Sequence, residues 1–268
     1  MNLERKSKRQ ERREKIRRQE RLNRLIMIGS IAAGAVLLVL VVAWPYINPS
    51  TEPTATPIAE VVAIDPGTHP NANDNSMGAT DAPIVIEEFS DFQCPYCENF
   101  HEQTEPLLRQ YYIDTGKVRF VYRSMGNFVS SNIARANGTT PKTESQDAAL
   151  AMYCAGDQEM FWDMHAHLFA NVVGEDVGSF TDERVKAIAE ATGLDMEQFN
   201  SCYDSGKYED RVQQDAADGQ AAGVNGTPAF LITYMVNGET KTKLIEGAQP
   251  FEVFQQELEA VLNEIGAQ

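Results

Sequence analysis

The first hydrophobic feature of the chain is an apolar run over residues 25–44, LIMIGSIAAGAVLLVLVVAW, which contains no charge. As a helix rising about 1.5 Å per residue, it would be roughly 30 Å long, which matches the hydrocarbon core of a bilayer. Trp44 and Tyr46 lie at its far end, where amphipathic rings prefer the interface. We predict one uncleaved transmembrane helix over 25–44. A buried core helix and a cleaved signal peptide are the alternatives, although a signal peptide usually has a shorter apolar region and an A-x-A site.

Proline is concentrated in the segment that follows. Six of the 12 prolines lie between residues 45 and 70, and the sequence NPSTEPTATP is typical of extended or disordered backbone. We therefore predict a flexible linker over residues 45–80, which would let the following domain move over a membrane surface.

From residue 81 the pattern becomes that of an α/β domain, predicted to span residues 81–268. Short β-branched apolar runs predict strands, and a period near 3.6 predicts helices. Asn237-Gly238 between two such runs predicts a hairpin. The predicted strands are 83–89, 118–122, 229–236 and 241–246, and the predicted helices are 95–112 with a break at Pro106, several within 145–207, and 252–265. This order predicts a thioredoxin-like fold with a helical insertion at about residues 130–207.

Charge is divided unevenly along the chain. Residues 1–24 contain 11 Lys and Arg against four Glu, a net charge of +7, while the remainder has a net charge of −23. The acidic body would repel nucleic acid, whose binding requires neutralised phosphates. No Lys or Arg occurs between residues 45 and 108, so the positive-inside rule predicts a cytoplasmic segment over 1–24 and an extracytoplasmic domain after the helix. We predict a single-pass protein of the cell membrane.

The main candidate chemistry is the dithiol motif Cys94-Pro95-Tyr96-Cys97, which follows a predicted strand and opens a predicted helix. At a helix N-terminus, unpaired N–H groups and the helix dipole favour a thiolate at Cys94. Pro95 suits the first turn, because its missing N–H would have no partner there. An inert disulfide and a metal site are the alternatives, but a second ligand pair at suitable spacing is missing.

Two further features bear on this site. Gly226-Thr227-Pro228 lies just before a predicted strand, where an ordinary turn proline is the alternative to a functional one. His165 and His167 are two positions apart on a predicted helix and do not share a face, so we predict no metal site from them. The sequence predicts no cofactor.

Three segments, EEFSDFQCPYC, CAGDQEMFWDMHAHLF and GVNGTPAFLI, resemble the DsbA-like thioredoxin family, particularly its membrane-anchored members. The resemblance covers about residues 77–265. It implies that Cys94 is the exposed nucleophile, that Cys97 is its buried partner, and that Pro228 is a cis-proline facing the dithiol. Pro95, Tyr96, Thr227 and Pro228 would then contact the substrate, which is a protein or peptide thiol.

The resemblance also implies a buried acidic residue that assists proton transfer, at the position of Glu88. An acidic side chain in a core strand would have a raised pKa. The adjacent Glu87 is the alternative. Some family members have a second disulfide in the helical block, which implies pairing of Cys154 with Cys202; two free buried thiols are the alternative. The family further implies a membrane redox partner of the DsbB-like or VKOR-like kind.

We predict a protein thiol–disulfide oxidoreductase that oxidises protein dithiols. A reductase or isomerase on the same fold is the first alternative, because the Pro-Tyr pair is common in glutaredoxins, which run in the reducing direction. A non-enzymatic peptide-binding module is the second, and the intact dithiol argues against it.

Overall fold

The computed structural model describes Met27 and residues 60–266. The domain is built on a five-stranded sheet with the strand order β1-β3-β2-β4-β5. The strands are β1 (Ser76–Met77), β2 (Ile84–Ser90), β3 (Val118–Ser124), β4 (Ala229–Val236) and β5 (Glu239–Glu246). β2 and β3 are parallel, and the other neighbouring pairs are antiparallel. The β4–β5 hairpin turns at Asn237-Gly238, as the sequence predicts.

The helices fall into those of the sheet unit and those of the insertion between β3 and β4. The sheet unit has α1 (Pro95–Gln103), α2 (Glu105–Leu108), a π-helical turn (Arg109–Ile113) and α9 (Phe251–Ile265). The insertion has α3 (Phe128–Asn137), α4 (Glu144–Gly156), α5 (Phe161–Ala170), α6 (Asp182–Thr192), α7 (Met196–Asp204) and α8 (Glu209–Ala221). The helix predicted over 95–112 breaks at Thr104, two residues before Pro106.

The alternation of β2 decides which side chains reach the dithiol helix. Successive side chains of a strand point to opposite faces. Glu88 is paired in register with Phe230 of β4, whose ring lies 4.4 Å from the ring of Phe100 on α1. On the other face, Phe89 packs beneath α8, where a Cβ at Gly219 would come within 2.8 Å of the Phe89 ring. Gly219 therefore permits the close approach of α8 to the sheet.

The structured part of the domain begins before the boundary predicted at residue 81. Residues 60–80 are held by contacts that a flexible linker would lack. The backbone of Val62 exchanges two hydrogen bonds with the Asn171 side chain, of 2.7 and 2.9 Å, and Ser76 and Met77 pair with β3 as an edge strand. The rest of the predicted linker, residues 45–59, lies outside the described residues.

Two helices lie beyond the predicted helices of the insertion. α3 starts at Phe128 and α8 continues from Glu209 to Ala221, past the predicted end of the insertion at residue 207. In the described part of the chain no helix combines the length and the apolar character that a membrane crossing needs. The basic segment over 1–24 and, apart from Met27, the apolar run over 25–44 lie outside that part.

Candidate active site

Cys94 occupies the N-cap of α1, and Pro95 is the first residue of the helix. The N–H groups of Cys97 and Glu98 donate to the Cys94 carbonyl, at 3.0 and 3.1 Å, and fix the first turn. The preceding strand β2 and the tight turn after it bring the thiol to the end of the sheet. Both cysteines of the motif are free thiols, and Cys97 is fully buried. The exposure that the resemblance implied for Cys94 is wrong, since this residue is only 6% exposed and reaches the surface only as part of a groove lining.

The two thiols have opposite acidities because their surroundings differ. A hydrogen bond from Cys97 is the main cause that lowers the pKa of Cys94 to about 6. Burial opposes this shift, while the Thr227 side chain and the first-turn N–H groups add to it. Burial is the main cause that raises the pKa of Cys97 well above its ordinary value, and its hydrogen bond to Cys94 adds to this. Cys94 is therefore the nucleophile and the better leaving group.

The segment before β4 faces the nucleophile. The Thr227–Pro228 peptide bond is cis, and the Cys94 thiol donates to the Thr227 carbonyl at 3.3 Å. The motif and the turn, more than 130 residues apart in sequence, thus meet at one place. Pro95, Thr227 and Pro228 all lie where the sequence argument expects them.

Glu88, rather than Glu87, is the buried acid beneath the dithiol. Glu88 is 1% exposed, whereas Glu87 points to the opposite face and forms an ion pair of 2.9 Å with Arg123. Burial, with added repulsion from Glu105 and Cys94, raises the pKa of Glu88 to about 8. Glu88 also acts on the pKa of Cys97, so the two groups are close enough to influence one another. A carboxylic acid that keeps its proton at neutral pH lies beside the buried thiol.

A shallow groove of about 540 Å³ opens beside Cys94. It offers apolar surface from α3 on one side and backbone from the segment before β4 on the other. Its lining includes Tyr96, Phe128, Val129, Ile133, Ala136 and Thr227. Tyr96 is 67% exposed at the rim, which suits the role of contacting a substrate rather than packing in the core.

Asp91 and Gln93 are site residues that the sequence argument missed. The buried Asp91 carboxylate accepts from the N–H groups of Gln93 and Val129, both at 2.9 Å, and from the Ser145 hydroxyl at 2.7 Å. The Gln93 amide donates to Ser130 and Ser145, at 3.0 and 2.8 Å. Together they fasten the loop that carries Cys94 to the start of α3 and α4. The only indication in the sequence was that two polar residues precede the dithiol closely. Their hydrogen-bond partners lie far along the chain, so the sequence alone does not show their role.

Cys154 of α4 and Cys202 of α7 form a disulfide, with a Cα–Cα distance of 5.7 Å. Their side chains lie in the core of the insertion, 1% and 6% exposed. The pair of cysteines that the resemblance implied is thus joined, away from Cys94 and Cys97.

A free dithiol at a helix N-terminus, with one acidic and one buried thiol opposite a cis-proline, defines a thiol–disulfide exchange site on a thioredoxin fold. A family model described as Thioredoxin matches residues 71–256. The chain belongs to the thioredoxin family, and the relatives described next support a DsbA-like member of it.

The chain is 25% identical to the probable disulfide bond formation protein D of Bacillus cereus, over 78% of this chain and 88% of that protein. It is 29% identical to the Na(+)/H(+) antiporter NhaA 1 of Salinispora arenicola, over 64% of this chain. It spans about a fifth of the length of that antiporter, 22%.

Two solved structures share the fold. Alpha-DsbA1 of Wolbachia pipientis has a TM-score of 0.59 at 21% identity, covering 74% of this chain and 94% of that one. BdbD of Bacillus subtilis in its oxidised form has a TM-score of 0.55 at 23% identity, covering 74% and 97%.

Proposed function

We propose that the chain is a protein thiol–disulfide oxidoreductase that oxidises the dithiols of other proteins through Cys94 and Cys97. The observation that carries the proposal is the contrast between the two thiols: Cys94, which lines the groove, has a pKa of about 6, and the fully buried Cys97 has a pKa well above the ordinary value. Curated relatives named for disulfide bond formation support the same chemistry.

The exchange begins from the oxidised form, in which Cys94 and Cys97 are joined. A substrate thiolate attacks Cys94 Sγ, a mixed disulfide forms, and Cys97 leaves. The second substrate thiolate then attacks the substrate sulfur of the mixed disulfide and displaces Cys94 as a thiolate. The substrate loses two electrons and becomes a disulfide, and the enzyme becomes a dithiol. The low pKa of Cys94 favours this second step.

Glu88 supplies the proton that the first step needs. Cys97 has too high a pKa to remain a thiolate, so it takes a proton as it leaves. Glu88, with a pKa raised to about 8, holds a proton at neutral pH and is the buried donor. When the dithiol is reoxidised, the same carboxylate accepts the proton from Cys97.

We expect the redox couple to be more oxidising than thioredoxin. At pH 7 a thiol of pKa about 6 is mostly ionised, which stabilises the reduced form by about 1.4 kcal/mol, or about 30 mV, relative to an ordinary thiol. The potential should lie between thioredoxin's roughly −270 mV and the roughly −120 mV of a strong oxidant. We expect the reduction potential to stay below that of a strong oxidant, because the net negative charge of the domain disfavours a thiolate and the Pro-Tyr pair contains no cation to stabilise one.

The decisive experiment equilibrates the detergent-solubilised full-length chain with glutathione redox buffers and then offers it a reduced, disulfide-dependent substrate. An intermediate potential with accelerated oxidation supports the proposal. A potential near −270 mV without acceleration means a reductase. Faster repair of a scrambled substrate than oxidation of a reduced one means an isomerase.

Replacing Glu88 with glutamine should slow substrate oxidation by roughly one hundredfold, the lower range for loss of a general acid–base group. In the unmodified protein the rate should fall as pH rises through about 8, because Glu88 then loses the proton that it donates. Stopped-flow rates between pH 6 and 9 test both effects. Glu87→Gln is the matched control. A pH profile that keeps its inflection near 8 in Glu88→Gln contradicts the assignment.

We place the domain on the extracytoplasmic side of the cell membrane, anchored by a transmembrane helix over residues 25–44. In that location a DsbB-like or VKOR-like membrane partner would reoxidise the dithiol. The charge asymmetry around the apolar run supports this orientation. Protease added to intact spheroplasts should digest the domain and leave a short membrane fragment. A domain that resists digestion until the cells are lysed contradicts the orientation.

A further inference from the structure

Three of the chain's four histidines meet at one place behind the dithiol helix, although they are far apart in sequence. The rings of His101 on α1 and His165 on α5 have centroids 5.0 Å apart. His69 approaches this pair from the segment before β1. The ring centroids of His69 and His165 lie 6.1 and 5.2 Å from the centroid of the Trp162 ring.

A carboxylate completes this group. Glu105 lies one helical turn after His101, and its Oε2 is 2.7 Å from His101 Nδ1. One ligand atom from each of His101, Glu105 and His165 lies within 4.8 Å of the others. Glu105 is buried, 1% exposed, while His101 is 19% exposed and leaves a route from solvent. A nitrogen–nitrogen–oxygen donor set is thus assembled from α1, α2 and α5.

The histidine nitrogens of this group are short of hydrogen-bond partners. His165 is 1% exposed, and among the described residues its Nε2 has none. Within the same part of the chain, both ring nitrogens of His69 are also buried and unpaired. A buried polar atom left unpaired costs roughly 1–3 kcal/mol, so the unpaired Nε2 of His165, beside the Glu105 carboxylate, calls for an explanation. An aromatic wall of Phe92, Tyr122 and Phe169 fixes the ring of His165.

We propose that His101, Glu105 and His165 bind a divalent transition-metal ion, with Zn²⁺ as the ion that fits best; His69 lies nearby but outside this group of three. Imidazole nitrogens with one carboxylate suit Zn²⁺, whereas Ca²⁺ and Mg²⁺ require oxygen ligands. Arg109 donates to the other oxygen of Glu105 at 3.1 Å and orients the carboxylate, as supporting residues do around metal ligands. Closing the group requires shifts of about an ångström, because ligand atoms around Zn²⁺ lie roughly 3–4 Å apart.

The place of the site indicates a structural role. Its ligands join the dithiol helix and its continuation to α5 of the insertion. The aromatic wall leaves little room for a substrate beside the ion. Bound metal would therefore hold the insertion against the sheet unit and raise resistance to unfolding.

The test uses the untagged, full-length protein in its oxidised form, because the free thiols of Cys94 and Cys97 could otherwise bind zinc themselves. Titration with Zn²⁺ against a chromogenic chelator should give one ion per chain, and Zn²⁺ should raise the melting temperature. Co²⁺ should give the intense visible bands of a tetrahedral site. His165→Phe and His101→Gln should each weaken binding by more than the roughly 10–100-fold that loss of a supporting residue costs.

His167→Gln is the matched control. Its Nε2 already accepts from the Ile64 N–H, and its Nδ1 contacts the Asp163 carbonyl, so zinc binding should persist. Circular dichroism checks that each variant folds; should His165→Phe fail to fold, the more exposed His101→Gln decides. The absence of a bound ion at micromolar Zn²⁺, or equal affinity in the unmodified protein and in both variants, overturns the proposal.

Discussion

Replacing Cys94 with serine should lower the rate of substrate oxidation by roughly three orders of magnitude or more, as loss of an essential nucleophile does. A serine hydroxyl cannot form the mixed disulfide, and no other free thiol of the described residues can replace it, because Cys97 is fully buried and does not line the groove. Rates of thiol oxidation measured on a reduced peptide give the effect directly.

Cys97→Ser should behave differently from Cys94→Ser. It retains the thiolate that attacks a substrate disulfide but lacks the thiol that resolves the product, so mixed disulfides should accumulate and be visible on non-reducing gels. Glu87→Gln, whose side chain faces away from the dithiol and pairs with Arg123, is the control and should keep most of the activity. Equal accumulation of mixed disulfides in both cysteine variants would contradict the assigned roles, and accumulation only in Cys94→Ser would reverse them.

Removing the Cys154–Cys202 disulfide should have the largest effect on stability. The two cysteines are 48 positions apart, and closing a loop of this length lowers the entropy of the unfolded chain by an amount worth at most about 4 kcal/mol. The double variant Cys154→Ala/Cys202→Ala should therefore melt at a markedly lower temperature. Thiol exchange at Cys94 should be nearly unchanged, because the pair lies in the insertion, away from the dithiol.

The measurement is thermal unfolding of both proteins with Cys94 and Cys97 in the same redox state. The unmodified protein unfolded in the presence of reductant provides the control, and its melting temperature should approach that of the double variant. An unchanged melting temperature, or loss of exchange in a variant that remains folded, would contradict a structural role.

The sequence predicted those elements whose signals are local. The strands over 83–89 and 229–236 contain short apolar runs, and Asn237-Gly238 marks the β4–β5 hairpin within two residues. α8 escaped prediction because its sequence is mostly polar and it buries few side chains, among them Val212 and Asp215. The two-residue strand β1 is too short to have a period and depends on pairing with β3.

The features of the candidate site also differ in whether local sequence could predict them. The dithiol and its position at a helix start could be predicted from adjacent residues. The choice between Glu87 and Glu88 required knowing which face of β2 meets α1, and that is decided by the register with β4. The contacts of Asp91 and the meeting of His101 with His165 depend on how the insertion packs, and no spacing in the sequence indicates them.

The hydrogen bonds of Asp91 have a mechanical consequence. One carboxylate is tied at the same time to the loop before Cys94, to the first turn of α3 and to α4. These three hydrogen bonds therefore hold the insertion and the cysteine loop in a fixed relative position. We expect a polypeptide bound against α3 to affect the position of Cys94 through the same hydrogen bonds, because α3 cannot shift relative to the cysteine loop without breaking them.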